Sequence, residues 1–166
     1  MDIIDRRRSI RKYTADPVDM KDIEAIIRAG MNAPSARNQQ PWQFIVITDR
    51  ATLDKIPAYH PNAGMVRQAP AAILVCADLS LVQSEGFWIQ DCAAATENML
   101  LEITARGLGG VWTGIYPREE RVNGLQKLFG LPDSIVPFSL VPLGHPAEEK
   151  PPKNEFKRDR IHLNKW

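Results

Sequence analysis

The chain has 166 residues, of which 44% are hydrophobic and 25% are charged, as is typical of one globular domain with a substantial core. Its 21 Lys and Arg residues nearly balance its 20 Asp and Glu residues, and the formal net charge of +1 argues against a general nucleic-acid or membrane-surface binder. Cys76 and Cys92 have no spacing typical of a disulfide framework or a zinc site. The sequence has no signal-peptide pattern and no apolar run near the roughly 20 residues of a membrane span, so we predict a cytoplasmic protein.

The first half of the chain predicts one helix and two strands. Apolar residues at helical spacing predict a helix over 17–30, with Gly30 as its stop. The segment 32–41 contains two prolines and no periodicity, which favours a loop. Strands are predicted at 43–48 and 71–77.

The second half predicts a long apolar helix and then alternating elements. The helix at 85–106 is apolar on more than one face, so we expect it to lie in the core and to contact a partner subunit. The later elements are a strand at 110–115, a helix at 119–129 closed by Gly130, a proline-interrupted strand at 135–143 and a poorly periodic tail at 145–166. The prolines place the strand at 135–143 at a sheet edge for part of its length. Alternating strands and helices predict an α+β or α/β sandwich with one mixed sheet.

A basic segment near the N-terminus is a candidate anion site. Five of the seven residues from Arg6 to Lys12 are basic, and Ser9 lies among them. One guanidinium group can donate two parallel hydrogen bonds to two phosphate oxygens, so a phosphate monoester is a suitable ligand. The alternative is a solvated helix face. A second basic patch, formed by Lys153, Lys157, Arg158 and Arg160, is either the other half of such a site or a solubilising tail.

The loop from Ala33 to Trp42 is a candidate ligand loop. It places Ser35, Asn38 and Gln39 between prolines that stiffen the backbone. Each side-chain amide offers a donor and an acceptor, which suits the edge of a heteroaromatic ring. The alternative is a connecting loop with Trp42 as a core anchor.

The glycine-rich segment 107–114 follows a helix and precedes a strand. A dinucleotide-binding loop has the opposite order, strand then glycines then helix, so we do not interpret this segment as one. Gly107 to Gly110 are interpreted as a helix stop and a tight entry into the sheet. Gly114 would let a flat ligand approach backbone N–H groups closely.

The sequence contains no Walker loop, HExxH motif, paired CxxC or G-x-S-x-G elbow. His60, His145 and His162 are isolated and are interpreted as structural or surface residues. An inventory of anion-binding and polar loop groups without a protein nucleophile fits an enzyme whose cofactor performs the difficult step.

Four segments in order resemble the nitroreductase family of flavin enzymes: Arg7 to Arg11, Pro34 to Trp42, Gln90 to Met99, and Gly107 to Pro117. The ending Arg160 to Trp166 is also similar to the C-terminus of compact members. The resemblance implies a single domain over 1–166, an α+β three-layer α/β/α sandwich with one mixed, mostly antiparallel sheet. It implies that the tail at 145–166 contacts the partner subunit.

The resemblance also implies a homodimer with FMN bound at the subunit interface. It implies ping-pong hydride transfer from NADH or NADPH through flavin N5 to nitroaromatic, quinone or similar acceptors, with no nucleic-acid or membrane partner. Two alternatives remain open: a specialised branch for flavin breakdown or reductive dehalogenation, and a flavin-binding module without turnover.

The resemblance further implies roles for individual residues. Arg7 and Arg11 would hold the FMN phosphate with one tail base, Arg160, Lys153 or Arg158, and Arg8 and Ser9 would lie near the ribityl chain and pyrimidine edge. Further flavin contacts would come from Pro34, Ser35, Asn38, Gln39, Asn62, Trp112 and Thr113. The backbone amide of Gly114 would lie near flavin N5 and stabilise negative charge on the reduced ring.

Overall fold

The computed structural model describes residues 2–166. Its α-helices are α1 (Ile3–Arg6), α2 (Met20–Met31), α3 (Arg50–Tyr59), α4 (Trp88–Ala105) and α5 (Glu119–Phe129). Its β-strands are β1 (Trp42–Ile47), β2 (Ala71–Asp78), β3 (Gly109–Gly110), β4 (Thr113–Gly114) and β5 (Ile135–Gly144). Short 3₁₀ turns lie at Ala36–Asn38, Pro61–Arg67, Leu79–Leu81 and Arg158–Arg160.

The strands form one open sheet in the order β1-β2-β5-β3, and β4 also pairs with β5. The ladders between these strands are antiparallel, and a parallel bridge joins Ser9 to Gly110. The predicted mostly antiparallel sheet is therefore confirmed.

Helices cover both faces of this sheet, because side chains alternate along β2. Ile73 and Val75 belong to one buried cluster with residues of α2 and α4. Leu74 belongs to a second cluster with Leu53 of α3 and Leu125 of α5. Successive side chains of β2 therefore pack into two separate cores, one on each face of the sheet. The predicted three-layer α/β/α sandwich is confirmed.

The proline-containing strand lies at a sheet edge for part of its length, as predicted. β5 pairs with β2 from Ile135 to Leu143, whereas its other side pairs with β4 at Ser139 and Leu140 and with β3 at Leu143 and Gly144. In these ladders the first residues of β5, up to Pro137, have a strand partner on one side only. Pro137 pairs with Cys76 where the register shifts between Val75 and Cys76, so the irregularity falls opposite the residue that has no N–H. The carbonyl of Pro142 still accepts the N–H of Val111 at 3.3 Å.

Two glycines near helix ends have different roles. Gly130 ends α5 in the left-handed conformation with φ 62°, as predicted. Gly30 instead lies inside α2, which continues to Met31. A Cβ on Gly30 would lie 2.9 Å from Cγ of Met99, so this glycine permits α2 to pack closely on α4.

α3 was not predicted from the sequence, and the strand predicted in the glycine-rich region is divided in the structure. α3 has weak amphipathicity and Pro57 near its end, which obscured the helical pattern. The strand predicted at 110–115 consists of the two short strands β3 and β4 with Val111 and Trp112 between them.

The end of the chain is exposed. Residues 151–166 lie on the surface, and the large apolar side chains of Phe156, Ile161, Leu163 and Trp166 are 51% or more accessible. Along residues 2–166, no helix combines the length and hydropathy required to cross a membrane.

Candidate functional site

The basic N-terminal segment lies against the glycine-rich strand β3. Ser9 bridges Gly110, and the N–H of Ile10 donates to the Gly110 carbonyl at 3.0 Å. Lys150 donates from Nζ to the Ser9 carbonyl at 2.5 Å, and Glu148 accepts the N–H of Arg11 at 2.5 Å. The start of the tail therefore holds this segment in an extended conformation beside the sheet.

The arginines of this segment have different environments. Arg7 forms an ion pair with Glu97 of α4 at 3.4 Å. Arg8 lines a cavity of about 440 Å³ with Thr104 and Lys150. The side chain of Arg11 is exposed and has one long hydrogen bond, 3.5 Å, to the Ser9 carbonyl. Arg11 is thus more available to an anion than Arg7, whose guanidinium is already paired with a carboxylate.

The segment 112–114 forms a short strip of backbone beside β5. The Thr113 side chain is buried and donates from Oγ1 to the Leu140 carbonyl at 2.8 Å, so this residue can offer a ligand only its backbone. Trp112 packs edge-on against Phe138, with ring centroids 5.8 Å apart.

Gly114 ends this strip at an exposed position. A Cβ built there would have no heavy atom within 4 Å, and the residue has no left-handed φ that would itself require glycine. Neither protein packing nor backbone conformation thus explains the missing side chain. An open backbone surface of this kind can accept a flat ring.

Arg121 binds the backbone carbonyl of Gly114. Its Nη1 donates to the Gly114 carbonyl at 2.8 Å. His60, fully buried, lies beside the same turn, near the carbonyls of Thr113 and Gly114. Burial lowers the pKa of His60, and the positive charge of Arg121 lowers it further.

The loop after α2 is anchored by a buried carboxylate. Asp91, 4% exposed, accepts the N–H of Ala36 at 2.9 Å and Nε2 of Gln39 at 2.5 Å. The Gln39 amide oxygen accepts the N–H groups of Gln83 and Ser84 at 2.9 and 3.0 Å. This corrects the expectation that the Gln39 amide faces a ligand, because its acceptor and one donor are used inside the chain.

The same loop leaves other polar groups outside. Arg37, Asn38 and Gln40 have positive φ values of 51°, 54° and 44°, which non-glycine residues adopt uncommonly. Asn38 is exposed, and the Ser35 hydroxyl accepts the N–H of Gln40 at 3.0 Å. Pro34 and Ser35 line an open cavity of about 380 Å³ with Phe87. The backbone strain and the exposed groups mark this loop as a preorganised surface.

The candidate residues fall into two groups that are not bonded to each other in the described chain. Across residues 2–166, no hydrogen bond or ion pair joins the loop at 34–40 to the residues at 7–11 or 112–114. Asn62 is exposed on the 3₁₀ turn Pro61–Arg67. Among the tail bases, Lys153 pairs with Glu155 at 3.4 Å and Arg158 lies over the ring of Phe156, while Arg160 is exposed. The described hydrogen bonds and ion pairs therefore leave the loop at 34–40 unconnected to the other candidate residues.

Asp91, His60 and Arg121 were not predicted as site residues. Asp91 lies in the segment Gln90 to Met99, but the sequence assigned it no function. The position of a carboxylate on a helix does not indicate which loop it will bind. His60 was interpreted as a structural or surface residue, and no spacing in the sequence connects it with Arg121. The two cysteines are buried free thiols whose pKa burial raises to about 12, which makes them poor nucleophiles.

The family model described as Nitroreductase family matches residues 4–77 and 57–145. A protein of Methanothermobacter thermautotrophicus, provisionally named NADH dehydrogenase/NAD(P)H nitroreductase, is 49% identical over 100% of this chain and 87% of its own length. A provisionally named NADH oxidase of Clostridium acetobutylicum has a crystal structure with TM-score 0.97 and 43% identity, covering 99% of this chain and 100% of that one. A provisionally named nitroreductase of Desulfovibrio desulfuricans, solved in complex with FMN, gives TM-score 0.84 and 32% identity over 98% and 94% of the two chains.

Proposed function

Because the chain belongs to the nitroreductase family of oxidoreductases, we propose that it binds FMN and uses NADH or NADPH to reduce nitroaromatic, quinone or similar acceptors. The observation that carries this proposal is the open backbone strip at Gly114. This strip follows β3 in the chain, and the basic N-terminal segment pairs with β3 through Ser9 and Gly110. A flat ring and a phosphate are the two parts of FMN that these surfaces suit.

The donor set fits this cofactor. Exposed Arg11 and the nearby Arg7 offer guanidinium groups for a phosphate, and the segment around Ser9 is held against Gly110. Arg8 and Ser9 would lie toward the ribityl chain, and one of Arg160, Lys153 and Arg158 would complete the phosphate contacts. Asn62 and the backbone of Trp112 and Thr113 are further proposed contacts.

The chemistry divides between cofactor and chain. When bound, FMN would supply hydride-transfer chemistry at N5, by which NADH or NADPH would reduce the acceptor in a ping-pong sequence. The Gly114 amide would donate a hydrogen bond near N5 and favour negative charge on the reduced ring. The side chains described above bind and orient the cofactor.

We also propose that the active form is a homodimer in which the loop at 34–38 faces the partner's flavin. Support comes from the two candidate groups, which no hydrogen bond or ion pair joins within the described chain. Further support comes from the tail, where Leu163 is 83% exposed and Trp166 is 101% exposed, since large apolar groups at this exposure are typical of an interaction surface. Pro34, Ser35 and Asn38 are the residues that the loop would bring to the interface.

The absorption spectrum of the purified protein tests cofactor and reaction together. We expect a yellow protein that releases FMN, identified by mass, and that bleaches under anaerobic NADH or NADPH. Steady-state assays with nitrofurazone and menadione then test the acceptor class. Flavin that stays oxidised under both reductants, or an apoprotein that does not take up FMN, would contradict the proposal.

Replacing Arg11 by alanine is expected to weaken FMN binding. Loss of one charge-assisted phosphate contact costs about 1.5–3 kcal/mol, or about 10- to 150-fold in Kd. Fluorescence titration of apoprotein with FMN measures this change. Lys12→Ala is the matched control, because it removes the same charge from an exposed neighbour and keeps the backbone carbonyl that Ala147 binds. Equal affinities for the two variants would remove Arg11 from the phosphate site.

The double variant Leu163→Asp/Trp166→Ser is expected to be monomeric and to retain little FMN, because a buried charge opposes docking of the tail on a second subunit. Light scattering gives the mass, and absorbance gives FMN per chain. Ala58→Asp adds the same charge on the exposed side of α3 and should leave both values unchanged. A variant that stays dimeric with full FMN content would show that the tail is dispensable.

A further inference from the structure

Three buried nitrogen atoms lie behind the Gly114 strip without a hydrogen-bond partner in the described chain: Nδ1 and Nε2 of His60 and Nε of Arg121. Buried polar groups of native proteins are nearly always paired, so an unpaired group calls for an explanation. The proposed roles of the flavin-facing residues use none of these atoms. They mark a polar cluster on the inner side of the strip.

Close packing of α3 against α5 determines where this cluster lies. Gly124 of α5 lies against Tyr59 at the end of α3, where a Cβ would approach the Tyr59 ring to 2.7 Å. His60 directly follows Tyr59, and Arg121 lies one turn before Gly124. The contact between α3 and α5 therefore brings the imidazole and the guanidinium behind the same short strand.

The cluster carries one fixed positive charge. A guanidinium stays protonated at any working pH, whereas burial and the neighbouring Arg121 lower the pKa of His60 and favour the neutral imidazole. The charge is attached to the strip itself through the 2.8 Å bond from Nη1 to the Gly114 carbonyl. A hydrogen bond from a charged donor is stronger than one from a neutral donor, so it fixes the peptide group more firmly.

We propose that Arg121, packed beside His60, is a positioning residue for the flavin: it orients the Gly114 backbone and supplies positive charge that favours the reduced over the oxidised cofactor. This inference rests on the proposed FMN site. A reduced flavin carries more negative charge than an oxidised one, so a fixed cation behind the strip stabilises the reduced form selectively. The alternative is a purely structural bond that joins α5 to β4.

The midpoint potential of bound FMN separates these two roles, because a purely structural bond would change stability without changing the potential. Arg121→Met removes the charge and the bond to Gly114 while keeping an apolar side chain of similar length. We expect the ratio of reduced-state to oxidised-state FMN affinity to fall about tenfold, which is about 30 mV for a two-electron couple. Arg121→Lys keeps the charge without the planar fork and should give a smaller fall.

Arg118→Met is the matched control, because it removes the same charge from an exposed residue that precedes α5. It should leave the potential and the visible spectrum of bound FMN unchanged. An Arg121→Met protein with wild-type potential would overturn the proposal and leave the structural role. If that variant does not fold, Arg121→Gln removes the same charge with a polar side chain, and an unchanged potential in Arg121→Gln would overturn the proposal equally. A wild-type chain that binds no FMN would overturn both this inference and the proposed function, whereas normal FMN binding with unshifted variants overturns this inference alone.

Discussion

Gly114→Val is expected to abolish retention of FMN during purification while leaving the fold intact. The first atom of the new side chain would meet no protein heavy atom within 4 Å, and valine is well suited to a strand, so the protein has no packing reason to unfold. The branched side chain would occupy the open surface that we assign to the flat ring. We expect a loss of more than about tenfold in FMN affinity, corresponding to about 1.4 kcal/mol or more.

Titration of apoprotein with FMN and thermal unfolding of the apoprotein together measure this result. Gly64→Val is the matched control, since Gly64 also has no heavy atom within 4 Å of a built Cβ and no left-handed φ. Gly114→Ala adds a smaller side chain, so its loss of FMN affinity should lie between those of wild type and Gly114→Val. A Gly114→Val protein with wild-type FMN affinity would place the ring elsewhere on the chain.

The sequence predicted those parts of the molecule in which local pattern and tertiary packing agree. The apolar spacing of α2 and the left-handed stop at Gly130 gave the correct elements, because burial of one helix face and a positive φ leave direct traces in the residues. The short strands β3 and β4 have no such trace. β3 and β4 form because both make backbone hydrogen bonds with β5, and β5 begins more than twenty residues later in the sequence.

The same limit applies to the candidate site. Residue type indicated Gly114 for a flat ligand and the segment from Arg6 to Lys12 for an anion, whereas the resemblance to the family singled out Arg11. The amide of Gln39 was expected at a ligand because an amide pairs equally well with a heteroaromatic edge and with protein groups. Only the three-dimensional positions of Asp91 and Gln83 decide between these uses.

Asp91→Asn is expected to destabilise the protein and loosen the loop at 34–40. Asp91 is an acceptor for two donors, the N–H of Ala36 and Nε2 of Gln39. An asparagine must turn its own NH₂ toward one of them, and Gln39 cannot flip to compensate because its oxygen already accepts two backbone N–H groups. One buried donor then faces another donor, which we expect to cost about 2–4 kcal/mol of unfolding free energy.

Urea unfolding measures this cost, and Asp133→Asn, the same change at an exposed position, should alter the unfolding free energy by less than about 0.5 kcal/mol. A variant with Gln39→Met in addition removes the second member of the network. Because both residues belong to one hydrogen-bonded unit, the double variant should lose less free energy than the sum of the single losses. Additive losses would mean that the carboxylate and the amide act independently. The loop would then owe its conformation, with three residues at positive φ, to its own backbone rather than to α4.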